Sequence, residues 1–416
     1  MISRLKGTWE EFPRDFWTLV LATFIDRLGG TMIFPFFALY VTQKFDVGMT
    51  EAGILFAIFS ISGFLGNLVG GALTDKFGRR GIVIFSLVIS ALSSVWMGLV
   101  NDLNVLYGLA VVVGFLSDIG GPARQAMVAD LLPEEKQAEG YGVLRVAGNL
   151  AWIIGPTIGG LLATQSYMLL FVLDAISSLI TAGIVYRLIP ETKPETAKAE
   201  ESESILGSFA GYRHVLADKL FMAFLVVSMF MLIAYLQMYS TLSVYLRDVH
   251  GIGPQGYGFL MSINSTTVVI FQFWVTRQTK KYAPMLMMAL GSGLYLIGFG
   301  LYGFVEIFVL FVVAMLIITV GEMIVIPVGQ ALVARFAPED KRGRYMAIYG
   351  LSWTIPSAIG PWAAGIVLDN YNPNLVWYLA AIFCAISVAG FYLLYLRSKD
   401  RLKIPAAEKA ESAAST

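Results

Sequence analysis

Residues Pro122–Lys136 read PARQAMVADLLPEEK, and residues Pro327–Lys341 read PVGQALVARFAPEDK. The two stretches match at eight positions with a constant offset of 205 residues. An apolar bias alone does not require the shared glutamine or the shared Pro-Glu pair, so the match indicates an internal repeat. The same offset pairs Gly53 with Gly258, Gly155 with Gly360, Pro156 with Pro361, and Gly160 with Gly365. The sequence therefore predicts two similar halves.

The composition of the 416 residues is that of a membrane protein. Hydrophobic residues make up 57% and charged residues 14%, whereas soluble chains carry about 25% charged residues. The mean hydropathy is +0.71. The net charge of 0 argues against a nucleic-acid partner. One cysteine and two histidines predict neither a disulfide framework nor a metal site.

Twelve apolar runs reach the length of about 20 residues that a membrane-spanning helix needs. They are Phe16–Thr42, Glu51–Thr74, Ile82–Val100, Leu103–Val128, Gly140–Thr164, Tyr167–Ile189, Leu220–Leu246, Gly256–Thr276, Pro284–Phe304, Ile307–Leu332, Gly343–Leu368 and Asn374–Leu396. Continuous runs predict helices and not the alternating strands of a membrane barrel. The expected fold class is an all-α membrane protein. Because no room remains for a catalytic domain, we predict that the protein is not an enzyme.

The basic residues predict the orientation. With a cytoplasmic N-terminus, 25 of the 29 Lys and Arg residues, Arg124 among them, lie in cytoplasmic segments. Lys44 and Arg247 lie on the opposite side, and Arg27 and Arg145 lie within spans. This bias predicts an inner or plasma membrane protein with both termini in the cytoplasm.

A polar segment, Pro190–Ser204, separates six spans from six. We predict an N-terminal six-helix bundle over residues 1–189 and a cytoplasmic linker with a short surface helix over residues 190–219. A C-terminal bundle over residues 220–396 and a disordered cytoplasmic tail over residues 397–416 complete the chain. Two parallel six-span halves are typical of transporters that bind their substrate near the midplane and work by alternating access.

The loop after the second span reads GALTDKFGRR, residues Gly71–Arg80. Gly71 and Gly78 permit close approach and a tight turn. Asp75 lies where a helix meets the cytoplasm, and a carboxylate there can pair with arginine or with a helix N-terminus. The spacing resembles the loop motif of the major facilitator superfamily, although that motif commonly has alanine where Thr74 stands.

The resemblance covers the whole chain and implies the twelve-helix major facilitator fold, with two pseudo-symmetric six-helix bundles. It also implies a cytoplasmic gate. In that gate Asp75, Arg79 and Arg80 would form a network with an acid at the end of span four. Asp130 is the candidate for that acid.

Span five contains AWIIGPTIGG, residues Ala151–Gly160. Pro156 removes a helix hydrogen bond and kinks the helix, and Gly155, Gly159 and Gly160 permit close packing. The run resembles the antiporter motif of the same superfamily, although its first residue is alanine where the family has glycine. The resemblance favours an antiporter over a symporter or a uniporter, and a simple packing kink is the alternative.

Acids inside spans are costly in lipid and are functional candidates. Asp26, Asp118 and Glu322 each lie ten residues from the cytoplasmic end of a predicted span. At about 1.5 Å per residue they lie near the bilayer centre. We predict that they converge on one cavity and exchange protons there. Arg27 and Arg145 are the expected charge partners.

Two further features of the spans bear on proton coupling. Many drug/proton antiporters of the superfamily carry an arginine inside span four, whereas Leu103–Ala123 contains none. Asp174 lies nearer the outer surface, on a span that usually supports the cavity from outside it. We predict a structural role for Asp174.

Helical spacing places Gly30, Ile33 and Phe37 on the same face as Asp26. The candidate cavity residues of other spans are Met231, Tyr235, Met238, Asn264 and Trp353. Methionine and aromatic walls suit varied lipophilic ligands. Packing or lipid contact is the alternative for any one of these residues.

The sequence thus resembles the drug/proton antiporter branch. We expect a monomer in the lipid bilayer that exports lipophilic, often cationic small molecules, uses the proton gradient as its energy source and needs no cofactor. One alternative is a proton-coupled transporter of a metabolite such as a sugar or short peptide, because the run around Glu322 is reminiscent of peptide/proton symporters. Their first-span E-x-x-E-R element is absent from residues 24–28, FIDRL. The other alternative is a lipid flippase on the same fold.

Overall fold

The computed structural model describes residues 11–193, 213–338 and 341–398, apart from the side chains of Asp75, Glu134, Ala138, Arg342 and Gly343. These residues form fifteen α-helices and one 3₁₀ turn. The helices are α1 Arg14–Ile33, α2 Phe37–Lys44, α3 Met49–Phe77, α4 Arg79–Leu99, α5 Leu103–Asp118, α6 Gly120–Leu131, α7 Glu134–Ala163, α8 Tyr167–Leu188, α9 Lys219–Leu236, α10 Thr241–His250, α11 Pro254–Thr279, α12 Pro284–Tyr302, α13 Phe308–Phe336, α14 Arg342–Asn370 and α15 Leu375–Ser398. The linker beyond residue 193, most of the predicted surface helix and nearly all of the predicted tail lie outside the described residues.

The predicted fold class is confirmed. Twelve helices or helix pairs of the described chain are long and apolar enough to cross a membrane, and strands are absent from the same residues. Large apolar side chains are exposed along the spans, as at Phe273 and Trp274 on α11, which are 82% and 62% exposed. Such surface is stable in lipid and not in water. The protein is a multi-pass membrane protein.

Two predicted spans are interrupted near their middle or outer part. In span one, Pro35 lies in a 3₁₀ turn between α1 and α2, because proline removes a helix hydrogen bond. In span seven, α9 ends at Leu236 and a turn precedes α10. Here the side chain of Gln237 replaces the lost bond, since its Nε2 donates to the Ile233 carbonyl at 2.8 Å.

Span four breaks between α5 and α6, directly beside Asp118. Pro122 has no N–H to donate to the Asp118 carbonyl, and Gly120 and Gly121 are weak helix formers. The helix then resumes, and Arg124 lies within the span Leu103–Leu131. The side of the membrane to which Arg124 is nearer stays a prediction.

The chain divides into two compact units. Unit 1 comprises Met1–Glu200 and Ile252–Ser262, and unit 2 comprises Glu201–Gly251 and Ile263–Thr416. In unit 1, α1 packs against α7 and α8, and α4 packs against α8. In unit 2 the helices at the repeat offset do the same: α9 packs against α14 and α15, and α12 packs against α15. The packing therefore repeats together with the sequence.

Candidate functional site

Glu322 lies at the centre of a polar network in unit 2. Its Oε1 accepts a hydrogen bond from the Tyr235 hydroxyl at 3.0 Å, and its Oε2 accepts one from Asn264 Nδ2 at 2.8 Å. Helices α9, α11 and α13 thus converge on one carboxylate. Among the ion pairs of the described residues, none includes Glu322. Both contacts come from neutral donors, so its negative charge has no fixed counter-charge.

The amide of Asn264 is fixed by a second contact. Its Nδ2 also donates to Thr319 Oγ1 at 3.0 Å, and the Thr319 hydroxyl donates to the Met315 carbonyl at 2.7 Å. Thr319 lies about one turn before Glu322 on α13, so both acceptors of the amide come from one helix face. The orientation of the amide is therefore determined by α13 as well as by its own helix.

Aromatic rings hold Tyr235 in place. Its ring stacks on Tyr295 with centroids 5.6 Å apart and meets the edge of Trp353 at 6.1 Å. Gly321 makes this packing possible, because a Cβ at residue 321 would lie 2.9 Å from the Tyr295 ring. Tyr235 is buried, whereas Trp353 is half-buried, as is Glu322 itself. The network therefore contains a buried ring, that of Tyr235, and two half-buried residues.

Asp26 forms an ion pair in unit 1. Arg124 Nη1 lies 2.5 Å from Asp26 Oδ2, with the two side chains 30% and 14% exposed. The Ser178 hydroxyl donates to Asp26 Oδ1 at 3.3 Å. The sequence predicts Arg27 and Arg145 as the charge partners of the membrane acids, and both arginines are exposed. For Asp26 the prediction is corrected, because its described ion pair is with Arg124.

A sequence signal for Arg124 existed. The predicted span four, Leu103–Val128, continues past Pro122, because proline is tolerated in the first turn of a helix. Leu103–Ala123 contains no arginine, as stated, but Arg124 follows it directly and lies inside the predicted span.

Asp118 lies at the break in span four. Its carboxylate occupies the space above Gly63 of α3 that a Cβ on residue 63 would need. The positive charges of Arg124 and Arg27 both act on Asp118, which is exposed at the break. Asp26 and Asp118 thus share the charge of Arg124 within unit 1. The convergence of all three acids on one cavity stays a prediction.

The predicted cytoplasmic gate is partly visible. Arg79 Nε lies 3.1 Å from Asp130 Oδ2, and the Thr192 hydroxyl donates to the same oxygen at 3.1 Å. Gly71 faces open space. The backbone of Asp75 lies in α3, but its side chain is outside the described part of the chain. The structure therefore brings together one of the pairs that the family resemblance implies.

Glu191, which the sequence analysis did not nominate, binds the N-terminus of α4. Its Oε1 accepts from the Arg79 N–H at 2.8 Å and its Oε2 from the Arg80 N–H at 3.2 Å. Gly78 has φ +91°, and a Cβ there would lie 2.6 Å from Glu191 Oε2, so only glycine fits. Burial raises the pKa of Glu191. Hydrogen bonds from four backbone N–H groups, including that of Arg79, lower it by more, so the pKa of Glu191 lies below its ordinary value.

Arg80 contacts the end of α8. Its guanidinium donates to the Tyr186 carbonyl and lies 5.1 Å from the centre of the Tyr186 ring. Lys193 Nζ donates to the Lys76 carbonyl at 3.2 Å. The start of the linker is thus attached to the loop between α3 and α4.

The glycines of the kink motif on α7 are close-contact positions within unit 1. Pro156 lies inside α7. A Cβ added to Gly155 would contact Thr31, and one added to Gly159 would contact the Phe36 ring. A Cβ added to Gly160 would contact Gly258. The motif therefore serves packing here, and its link to antiport stays a prediction.

The candidate cavity residues fall into two groups. Phe37, Met231 and Met238 are buried in their units, and Phe37 packs on the Phe59 ring at 5.5 Å. These three pack within their units, and their role as cavity walls stays a prediction. Gly30 is exposed and Ile33 is half-buried. Tyr235, Asn264 and Trp353 belong to the Glu322 network described above.

Comparison with known proteins identifies the family. The model of the Major Facilitator Superfamily matches residues 19–255 and 232–416. The chain is 28% identical over 393 residues to the uncharacterised MFS-type transporter YttB of Bacillus subtilis (strain 168), covering 93% of this chain and 97% of that protein. It is 26% identical over 384 residues to a Na(+), Li(+), K(+)/H(+) antiporter of Planococcus maritimus, covering 85% and 89%. It is 23% identical over 409 residues to the multidrug resistance protein MdtH of Salmonella paratyphi B, covering 94% and 96%.

Solved structures support the same fold. A POT family transporter in complex with a thioalcohol-conjugated peptide superimposes with a TM-score of 0.79 at 14% identity, over 94% of this chain and 97% of that one. A point mutant of the nucleoside transporter NupG superimposes with a TM-score of 0.78 at 14% identity, over 92% and 100%. The fold, the polar network within the spans and the family match agree, and the chain belongs to the major facilitator superfamily of secondary transporters.

Proposed function

We propose that this chain is a proton-coupled antiporter that exports lipophilic, often cationic compounds by alternating access. It would work as a monomer in the cell membrane, with both termini in the cytoplasm and the proton gradient as its only energy source. The observation that carries the proposal is the Glu322 carboxylate, which is held by two neutral donors without a basic partner among the described ion pairs.

The chemistry of coupling follows from that missing counter-charge. An isolated charge is costly inside a membrane, so Glu322 must be neutralised by a proton or by a cation from outside the protein. Proton and cationic substrate then compete for one group. Binding of one favours release of the other, which is the elementary step of antiport.

The surroundings of Glu322 favour a substrate that is both cationic and lipophilic. Trp353 is half-buried beside the network, as is Tyr239. Tyr239 meets the Tyr235 ring at 5.6 Å. A cation near aromatic faces gains about 0.5–2 kcal/mol from the ring quadrupole. Flat apolar rings also accept varied ligand shapes, as export of unrelated compounds requires.

Unit 1 supplies a different element. Asp26 and Arg124 neutralise each other at 2.5 Å, and Asp118 lies under the charge of the same arginine. Protonation of either acid would release part of the Arg124 charge. We assign to this group the conformational response to protons, and to the Arg79–Asp130 pair the cytoplasmic gate.

A second candidate is exchange of monovalent metal cations for protons. It is favoured by the relative from Planococcus maritimus, which carries that activity in its name and covers 85% of this chain. The Glu322 carboxylate, with the hydroxyl oxygens of Tyr235 and Thr319 in the same network, also suits a hard cation. Both candidates use the same proton chemistry and differ in the substrate.

Liposomes with an acidic lumen and a luminal pH dye test the proposal. Ethidium, NaCl, KCl or a dipeptide is added outside the vesicles. An antiporter raises the luminal pH, because protons leave as substrate enters, whereas a symporter lowers it. A rise with ethidium supports the proposal, and a rise with NaCl or KCl alone supports the second candidate. Acidification by the dipeptide, or no response to ethidium or the salts, would contradict both.

A further inference from the structure

The contact between α1 and α8 in unit 1 includes polar groups at three successive turns. Asp174 lies against Gly29, where a Cβ on residue 29 would come 2.7 Å from Asp174 Oδ1. One turn further, Ser178 donates to Asp26 at 3.3 Å. At the next turn, Thr181 donates to the Ala22 carbonyl at 3.2 Å. We call this line of contacts the α1–α8 seam.

Asp174 is the buried end of the seam. The residue is 7% exposed, and the Ser94 hydroxyl of α4 donates to its Oδ2. The Ser177 hydroxyl donates to the Asp174 backbone carbonyl at 2.8 Å and not to the carboxyl group. Among the described hydrogen bonds, the carboxyl receives only the one from Ser94.

The charged and titratable groups around Asp174 offer it no positive partner. From α1, Asp26 acts on it as a like charge. From α4 the contact is the neutral Ser94, and Arg145 of α7 is exposed. At the outer end, Lys44 Nζ donates to the Gly98 carbonyl at 2.6 Å. No described ion pair includes Asp174.

The fold does not need an acid at this position. In unit 2, Ser94 corresponds to Phe299 at the offset of 205, and Asp174 corresponds to the buried Ala380, because the contacts of α15 repeat those of α8 at an offset of 206. The hydroxyl contact at the other end of the seam does recur there, since Ser387 donates to the Val227 carbonyl at 3.1 Å. The same helix packing is thus achieved in unit 2 with apolar residues in place of the acid and its donor.

We propose that Asp174 is a second proton-carrying group of the transporter, and that it holds its proton while Asp26 is paired with Arg124. A buried carboxyl without a counter-charge is more stable neutral than charged. The step is a simple exchange: the carboxyl loses one proton to become a carboxylate and regains it from water. The like charge of Asp26 couples the two acids, so that ionisation of one opposes ionisation of the other.

The α1–α8 seam contains a hydroxyl group that can transfer a proton between the two acids. Ser178 is one turn from Asp174 and bonds to Asp26, and hydroxyl groups both accept and donate protons. Asp174 therefore serves as a positioning and storage residue for the proton. This inference rests on the proposed proton-coupled function, but its first test does not require transport.

Infrared spectra of the reconstituted protein test it directly. We expect the wild-type-minus-Asp174→Asn difference spectrum to contain the carbonyl stretch of a protonated carboxyl at neutral pH, and to lose it at alkaline pH. Ser94→Ala, which removes one hydrogen bond and leaves the acid, is expected to displace this band. Thr181→Val, on the same seam but beyond Asp26, is the matched control and is expected to leave it unmoved.

The infrared band of the Asp174→Asn variant decides between the proposal and its rejection. Loss of the band in Asp174→Asn supports the proposal, and an unchanged band overturns it. If Asp174→Asn does not fold, Ser94→Ala decides, because a band that does not move would mean that the proton is not on Asp174. In the liposome assay, Asp174→Asn is expected to flatten the pH dependence of exchange. If no substrate drives proton exchange in the wild type, the proposed function fails, while the infrared result still stands on its own.

Discussion

The two units share a packing scheme but differ in their charges. The repeat keeps the positions of Pro122 and Pro327 and of Gly155 and Gly360, and the same helix pairs pack in both units. The charged and polar residues of the two networks do not repeat. The unit 1 residues Asp26, Arg124 and Asp174 correspond to Met231, Gly329 and Ala380, and the unit 2 residues Tyr235, Asn264 and Glu322 correspond to Gly30, Phe59 and Ser117.

This difference separates what the fold requires from what the function requires. Many of the positions that recur within the spans are glycines, prolines and apolar residues, which set the distances between helices. Ionisable residues in lipid are costly, and those of the two networks stand at positions that are not ionisable in the other unit. Unit 1 neutralises Asp26 internally with Arg124, whereas Glu322 of unit 2 has no basic partner among the described ion pairs. The predictions below test this division of roles.

The largest expected effect is that of Glu322→Gln. The amide keeps the size and can still contact Tyr235 and Asn264, but it can carry neither the charge nor the exchanged proton. We expect proton-driven transport to fall by about 100-fold or more, as on removal of an essential proton-transfer group. The measurement is the luminal pH response in liposomes.

Glu306→Gln is the matched control for this variant. Glu306 is exposed just before α13, so the same substitution there is expected to leave transport within about twofold of wild type. Normal proton-driven transport by Glu322→Gln would remove Glu322 from the mechanism and leave unit 1 as the site of coupling.

The Asp26–Arg124 pair should behave as an internal unit. Asp26→Asn or Arg124→Gln alone leaves one charge without its partner. We expect each to lower the free energy of unfolding by about 1–3 kcal/mol, less than for a fully buried pair because both side chains are partly exposed. The double variant should lose less than the sum of the two. Chemical unfolding in mixed micelles provides the measurement.

Asp248→Asn offers the contrast. Asp248 pairs with its neighbour Arg247 at 2.5 Å, but its side chain is 49% exposed. Loss of an exposed pair is expected to cost less than about 0.5 kcal/mol. If the losses of unfolding free energy in the Asp26 and Arg124 variants add strictly, the two residues are energetically independent. Unit 1 would then not neutralise Asp26 through Arg124, and the proposed difference between the units would be wrong.

The twelve spans and the repeat could be predicted from the sequence, because both depend on local composition and on spacing along the chain. The Arg124 contact could not, because Arg124 and Asp26 are 98 residues apart in the sequence and their contact depends on how α1 and α6 pack. Asp174 was assigned a structural role for a related reason. Its partners on α1 and α4 are distant in sequence, and no periodicity within span six reveals them.

The repeated glycines should differ in how well they tolerate a side chain. A Cβ at Gly155 would meet the short, branched side chain of Thr31 and its backbone carbonyl carbon at 3.0 Å. At Gly360 it would meet the flexible end of Gln237 at 2.9 Å. We expect Gly155→Ala to cost about 1–3 kcal/mol of unfolding free energy, as overpacking does, and Gly360→Ala to cost about 0.5–1.5 kcal/mol, the size of the one hydrogen bond from Gln237 to the Ile233 carbonyl that a displaced amide would lose.

Gly148→Ala on α7 is the control for this pair. A Cβ at residue 148 meets nothing within 4 Å, so the variant should match wild type or gain up to about 1 kcal/mol from helix propensity. Equal costs at Gly155 and Gly360 would show that the two units pack more alike than their neighbouring side chains indicate.

The smallest effect concerns the N-termini of α4 and α12, which occupy equivalent places in the repeat. In unit 1 the Glu191 carboxylate accepts the first N–H groups of α4. In unit 2 the equivalent helix begins with Pro284, which has no N–H to satisfy. Glu191→Gln should therefore speed amide hydrogen exchange at the start of α4 and leave the start of α12 unchanged, with a cost of about 0.3–1 kcal/mol.

The pH dependence of this contact has a definite sign. Because the pKa of Glu191 is lowered from its ordinary 4.5, its stabilising contribution is present above that value and is lost as the pH falls through the lowered pKa. The difference in unfolding free energy between wild type and Glu191→Gln should shrink in that acidic range. Glu139→Gln, at an exposed position on α7, should show no such trend. A difference that stayed constant in acid would mean that the carboxylate charge is irrelevant at α4. The N-termini of α4 and α12 would then differ in their hydrogen bonding and geometry but not in the effect of charge.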